Sequence, residues 1–413
     1  MKKQIVAVAG LSVALLLAGC GGSTEDPVDQ SMPGNPGGGP GGSGMTKSAL
    51  GAMLYKDTNL SKNGNQSCES CHSLDLLTGG SGTTARAFAD PGSSVSNPVS
   101  EGSDNGVFGD RNAPTAAYAM FSPDFHYDTT TDPANPRYIG GQFLDGRAVD
   151  LAEQAKGPFL NPKEMNMADE AAVVAKVRDA GYAAMFRQVF GASSLDVGNE
   201  ATAYNQIAEA IAEFERTPMF APFSSKFDAV QAGLATFTSE EQNGFDLFQV
   251  DGKGKCAECH KLERAGGSSG VLFTDFSYWN IGVPQNPNNP AGTTATGFTD
   301  TGLAANPQVI ADGRAASERG KFKVPTLRNV ELTAPYMHNG VLETLEQVVN
   351  FYNTRDTNNC WSNTQTPFVD CWPDPEVSDN LDVTFSGDLL LTAQEESDLV
   401  AFMKTLTDGY FTP

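Results

Sequence analysis

The stretches Cys68-Glu69-Ser70-Cys71-His72 and Cys256-Ala257-Glu258-Cys259-His260 decide how this chain is read. Each is C-x-x-C-H, in which two thiols form thioethers with haem vinyl groups and the next His reaches the iron. A redox dithiol or a zinc pair accounts for a C-x-x-C, but not for a His directly after both pairs. The reading is therefore two covalently bound haem c groups with His72 and His260 as proximal ligands. The motifs lie a domain's length apart, so the expectation is one haem per domain.

The surrounding chain fits that plan. Its 413 residues suit about two domains, and 43 Gly and 24 Pro imply long irregular loops between helices. Helices are expected at Ser48–Tyr55, Ala168–Ala180 and Tyr204–Glu215, the last with Ile207, Ile211 and Phe214 on one face. In the second half, Ser239-x-x-Gln242, Thr344-x-x-Gln347 and Thr392-x-x-Glu395 read as capping boxes. Residues 78–145 and 262–320 read as loop. The fold class is mainly α: two cytochrome c-like domains, 47–225 and 226–413, meeting in the region Thr217–Thr238. A disulfide-stapled insertion occupies 354–380.

The net charge of −23 excludes nucleic acid, whose phosphates demand a basic face. The N-terminus, MKKQIVAVAGLSVALLLAGC, has two lysines, a short apolar run and small residues before Cys20. This is a secretory signal over 1–19, too short for a membrane span. Leu17-Ala18-Gly19-Cys20 has the form of a lipoprotein box with Cys20 as the lipidated residue. Residues 20–46 form a flexible Gly/Pro/Ser tether. The expected location is the periplasm, with the lipid anchor as the one membrane attachment. Gly21 after the Cys favours the outer membrane, the inner being the alternative. Of seven Cys, Cys360 and Cys371 remain, and in an exported chain they are expected to pair.

What lies on the far side of each iron decides the chemistry. The chain has four His, and none falls between His72 and His126, so the loop after the first motif brings no imidazole. An open position there admits peroxide. His126 reads as a surface or turn residue. For the second haem, Met337, His338 and Tyr352 lie within sixteen residues of one another. Met337 is the first choice on chemistry. With Thr344 as N-cap, however, Leu345, Val348, Val349 and Tyr352 share an inward face, and a phenol there needs a partner.

The stretches "GDRNAPT", "GGQFLDGRAVDLAEQAKGPFLNPKEM", "KFKVPTLRNVELTAPYMHNG", "TLEQVVNFY" and "LVAFMKTLTD" resemble the bacterial di-haem cytochrome c peroxidase and MauG family from about Ala49 to Asp408. The resemblance implies a peroxidatic haem in the first domain and an electron-transfer haem in the second. It makes Glu164 the distal acid–base carboxylate and Gln154 the distal amide beside it. It also implies a calcium ion held by Asn112 and the carbonyls of Thr333 and Pro335. Hydrogen peroxide is the implied oxidant. The electrons come from a small cytochrome c, a copper protein, or a side chain of a protein substrate. Three departures from the family matter. No distal His precedes "RNAPT". Tyr352 stands fourteen residues after His338, where ordinary peroxidases have Met and MauG-like members Tyr. Leu144 replaces a Trp found between the haems in many relatives, with Trp279 as a candidate substitute.

Overall fold

The computed structural model describes residues 44–250, 252–264, 266–291 and 297–412. The signal, Cys20 and most of the tether lie outside them. Eleven helices occur among the described residues: α1 Lys47–Lys56, α2 Cys68–Cys71, α3 Leu151–Leu160, α4 Glu170–Asp179, α5 Ala183–Phe190, α6 Glu200–Glu215, α7 Lys226–Gln231, α8 Ser239–Gln249, α9 Pro307–Ala311, α10 Leu345–Thr354 and α11 Ala393–Lys404. Seven short 3-10 helices and three antiparallel strand pairs complete the regular structure among the described residues: β1–β2 (Leu76–Thr78, Thr84–Arg86), β3–β4 (His126–Asp128, Arg137–Ile139) and β5–β6 (Tyr278–Trp279, Phe322–Lys323).

One helix crossing is used twice. In the first half α1 packs on α6, and in the second α8 packs on α11. At Gly51 an added Cβ would sit 1.9 Å from the carbonyl oxygen of Ala210 and 2.9 Å from the Cβ of Phe214. At Gly244 it would sit 1.9 Å from the carbonyl oxygen of Asp398 and 2.9 Å from the Cβ of Phe402. Each crossing is thus closer than any side chain permits, and a single hydrogen at the contact is what allows it. Each crossing glycine lies on the helix that precedes a C-x-x-C-H loop.

The helix ends follow capping chemistry. Thr344 accepts from the Gln347 N–H and Thr392 from the Glu395 N–H, each in a reciprocal box. The α8 box lies one residue earlier than Ser239-x-x-Gln242. Thr238 is the cap and Glu241 reaches back to it, because Glu241 as a carboxylate is the stronger acceptor for the cap N–H. Helices α2, α3, α5, α7 and α9 have no counterpart in the sequence reading, and α9 interrupts the stretch 262–320 read there as loop. Helix α3 contains Gly157 and Pro158, both poor residues for a helix interior. It survives because Pro158 sits near its end, where Asp150 caps the start and the last carbonyls turn into the 161–165 loop.

Four apolar clusters form the core among the described residues, and two of them are much the largest. The first gathers Leu50, Leu54, Tyr55, Phe186, Tyr204, Ile207, Ile211, Phe214 and Phe220, with Leu272 and Phe276 contributed by the second half. The other gathers Phe227, Phe248, Phe273, Leu345, Leu399 and Phe402. Buried polar clasps tie the two together. Arg111 forks onto both oxygens of Asp300 and also reaches Asp145, and the Tyr118 hydroxyl donates to Asp408.

Candidate functional site

Both C-x-x-C-H loops present their His through the same scaffold. The Nδ1 of His72 lies 3.2 Å from the Phe88 carbonyl, and that of His260 lies 2.8 Å from the Phe273 carbonyl. A carbonyl only accepts, so Nδ1 carries the proton and Nε2 is left with its lone pair for a metal. Both phenylalanines are in the left-handed region, φ 49 and 54, an uncommon conformation for a bulky residue. A threonine fixes the loop beneath each. Thr115 Oγ1 donates to the Ala87 carbonyl and accepts from the Ala117 N–H. Thr326 Oγ1 donates to the Leu272 carbonyl and accepts from the Arg328 N–H. Burial lowers both imidazoles, which keeps them neutral. Cys68, Cys71, Cys256 and Cys259 are free thiols, whereas Cys360 and Cys371 are joined in a disulfide. Four unpaired thiols beside two rings of fixed tautomer fit two thioether-bound haems.

Around the second motif, Cys256, Cys259 and His260 line a cavity of about 350 Å³ together with Tyr352, Met337 and Trp279. Tyr352 projects from α10 with its hydroxyl making no hydrogen bond among the described residues. Burial, then the nearby Cys259 and Cys256, hold that hydroxyl well above the usual phenol range. Met337 is held at φ 74 and shares an apolar cluster with Tyr352. His338 lines the same cavity. Its ring stacks on Phe322 at 3.8 Å and turns Nε2 toward Glu376, 3.6 Å away.

Around the first motif the side chains are carboxyls. Glu164 follows α3 in the turn after Asn161, whose amide donates to it at 2.7 Å. Burial raises its pKa against the pull of Arg147, and its charge is felt at both Cys68 and Cys71. Gln154 is half-buried on α3. Glu215, at the end of α6, has its Oε2 buried without a partner. Burial pushes it up to about 8, and it acts electrostatically on Tyr55 and Cys68.

Asn112, Thr333 and Pro335 line the same cavity as the second motif. The Asn112 amide donates to the Pro98 carbonyl at 2.9 Å, which leaves its oxygen as an acceptor. Leu144 and Trp279 also line this space. His126 is exposed, with Nδ1 on the Asp124 carbonyl.

Two residues escaped the sequence reading. Glu215 extends the apolar stripe of Ile207 and Ile211, and an acid at that register was a signal available in the sequence. Lys323 is half-buried, its ammonium pushed down to about 8 by desolvation, and donates to the Gly141 carbonyl beside Leu144; nothing in its local sequence marks it.

The twin cradles on a mainly helical scaffold have the build of a c-type haem protein. Residues 45–236 match the family model described as di-haem cytochrome c peroxidase. The chain is 40% identical over 369 residues to the methylamine utilization protein MauG of Paracoccus denitrificans, covering 88% of this chain and 89% of that one. It is 34% identical to the cytochrome c551 peroxidase of Nitrosomonas europaea over 73% of this chain and 70% of that one. Among solved structures, the di-haem peroxidase BthA of Burkholderia thailandensis superposes with a TM-score of 0.74 at 33% identity, over 89% and 87% of the two chains. The chain therefore belongs to the di-haem cytochrome c peroxidase and MauG family. It is an oxidoreductase, a di-haem peroxidase.

Proposed function

We propose that this peroxidase uses hydrogen peroxide at a haem held by Cys68, Cys71 and His72, and keeps a second haem, held by Cys256, Cys259 and His260, for electron transfer. On this reading 47–225 and 226–413 are the two haem domains. A haem iron supplies the centre that binds peroxide and accepts oxidising equivalents. The chain's own residues do the rest. Splitting an O–O bond needs a proton carried from the near oxygen to the departing one, and Glu164, half-buried and with its pKa raised by desolvation, is suited to hold that proton. Gln154 orients the peroxide through an amide that does not compete for the proton. Tyr352 would help hold the iron of the second haem, where its oxygen, once anionic, would favour the higher oxidation states. Asn112, with the carbonyls of Thr333 and Pro335, offers the hard oxygens that calcium prefers.

The observation that carries this reading is that Tyr352 lines one cavity with Cys256, Cys259 and His260. Met337 lines it too, and a Met-ligated second haem of the ordinary peroxidase type is the competing reading. Adding peroxide to the fully ferric protein separates them. A long-lived oxidised species, shortened in Tyr352→Phe, is expected. No reaction until one electron is supplied, or an unchanged second-haem spectrum in Tyr352→Phe, sinks the Tyr352 assignment.

The reductant is a small periplasmic redox protein, a cytochrome c or a copper protein, or a side chain of a protein substrate. The leader and Cys20 support export and lipid anchoring at the periplasmic face of the outer membrane. Among the described residues no helix is long and apolar enough to cross a membrane.

A further inference from the structure

The disulfide loop carries two tryptophans with opposite fates. Trp372 is 4% exposed, donates to Thr354 Oγ1 and meets Phe351 edge-on at 5.2 Å. It packs the loop onto α10. Trp361 is 81% exposed, far outside the usual burial of tryptophan. The turn that holds it is ordered, with Gln365 accepting from the backbone N–H of both Trp361 and Ser362. An indole displayed on a fixed turn is the kind of anchor that dominates protein interfaces.

The loop also connects inward. Phe351 lies 6.1 Å from Tyr352, ring to ring. From Tyr352 the path runs through Phe351 to Trp372, which is peptide-bonded to Cys371. The disulfide crosses to Cys360, which is peptide-bonded to Trp361. Aromatic contacts and covalent bonds thus lead from the cavity of the second motif to an exposed ring without a solvent gap.

The loop itself carries acids and no bases. From Asp356 to Met403 the chain holds no Lys, Arg or His. Asp356 pairs with Arg355 and Asp379 with Arg319, whereas Asp370 and Asp374, on or beside the loop, are exposed with no ion pair among the described residues. Val369, 75% exposed, adds an apolar neighbour within the loop.

We propose that the loop Asp356–Cys371 is the docking surface for a small soluble one-electron donor protein, with Trp361 as anchor and first relay. The donor presents a basic face around an apolar redox edge. Opposite charge steers the encounter, and the indole fixes the docked pose. One electron leaves the donor, which is oxidised, and arrives at the second haem, which is reduced. No bond forms or breaks, no proton is transferred, and the disulfide stays oxidised. This rests on the assignment of the second motif and Tyr352 to an electron-transfer haem.

The test uses the full haem-loaded protein and a mitochondrial-type cytochrome c of high pI, reduced beforehand, as the probe. Two quantities are read: the affinity, from the salt-dependent binding isotherm, and the stopped-flow rate of second-haem reduction. Trp361→Ala is expected to lower both at least tenfold, leaving haem spectra and the reaction of ferric protein with peroxide unchanged. Trp361→Phe is expected to restore most of the affinity and less of the rate. Leu234→Ser, another exposed apolar side chain outside this loop, changes neither. The proposal is overturned if Trp361→Ala leaves affinity and rate unaltered, or if its one effect is to abolish a dimer of this chain seen by sedimentation. A second-haem spectrum unchanged in Tyr352→Phe would remove the ligand assignment instead, while the binding isotherms stood.

Discussion

The two halves share a crossing glycine, a left-handed Phe and a Thr-braced loop, yet they differ one turn from the crossing. Four residues after Gly51 stands Tyr55, and four after Gly244 stands Phe248. Next to Phe214 is Glu215, and next to Phe402 is Met403. The first half buries a phenol and an acid where the second buries a phenyl ring and a thioether. Tyr55 donates to the His72 carbonyl at 3.0 Å, and Glu215 stays uncharged through burial. With Glu164 raised as well, the first motif is surrounded by groups that hold protons. The second is surrounded by Phe248, Phe273, Phe402 and Tyr352. The two crossings share their geometry and differ in what they bury, proton-holding groups beside the first motif and aromatic rings beside the second.

The largest effect expected from this contrast is at Glu164. Glu164→Gln keeps the shape and removes the titrating group, so steady-state peroxide turnover should fall about 10²- to 10⁴-fold. Direct chemical reduction of the second haem should be unchanged. Turnover that survives the substitution would break the division of labour between the halves.

Glu215 sharpens it through stability. Its carboxyl titrates at about 8 in the fold against 4.5 ordinarily. Between those values the folded chain holds a proton the unfolded chain has lost. Stability therefore falls as pH rises from the lower value to the upper and levels off beyond, by at most about 5 kcal/mol. Glu215→Met gives the first half the residue of the second. It should flatten this slope, as read from denaturant midpoints between about pH 5 and pH 9. A slope left intact would mean that Glu215 is not the buried acid.

The smallest effect tests the shared part. Gly51→Ala and Gly244→Ala each force a methyl into a backbone carbonyl, and each should cost about 3 kcal/mol. Similar losses in thermal melts are expected for the two variants. A large loss in one and none in the other would show that the two crossings are not equivalent.

Much of this was legible in the sequence because the signals are local. The motifs, the Thr344 and Thr392 caps and the stripe of α6 each depend on a few neighbouring residues. Helix α3 carries Gly157 and Pro158, which weaken a helical signal although position along the helix decides their cost. The α8 cap was shifted by one because Thr238 and Ser239 compete for the same role. The duplicated cradle was invisible because Phe88 and Phe273 sit far from Thr115 and Thr326 in the chain. The contrast between Glu215 and Met403 emerges only when the two crossings are laid on each other.

The crossing glycines have a further consequence, which concerns how far the chain can vary. Each stands where a backbone carbonyl of the partner helix, that of Ala210 or that of Asp398, would meet any added Cβ. A carbonyl cannot be trimmed by substitution, so no second change at either partner residue makes room for a side chain at Gly51 or Gly244. Each glycine is held by the main chain of the facing helix and not by its side chains. The positions beside the crossing stay open to divergence, and Glu215 and Met403 lie there.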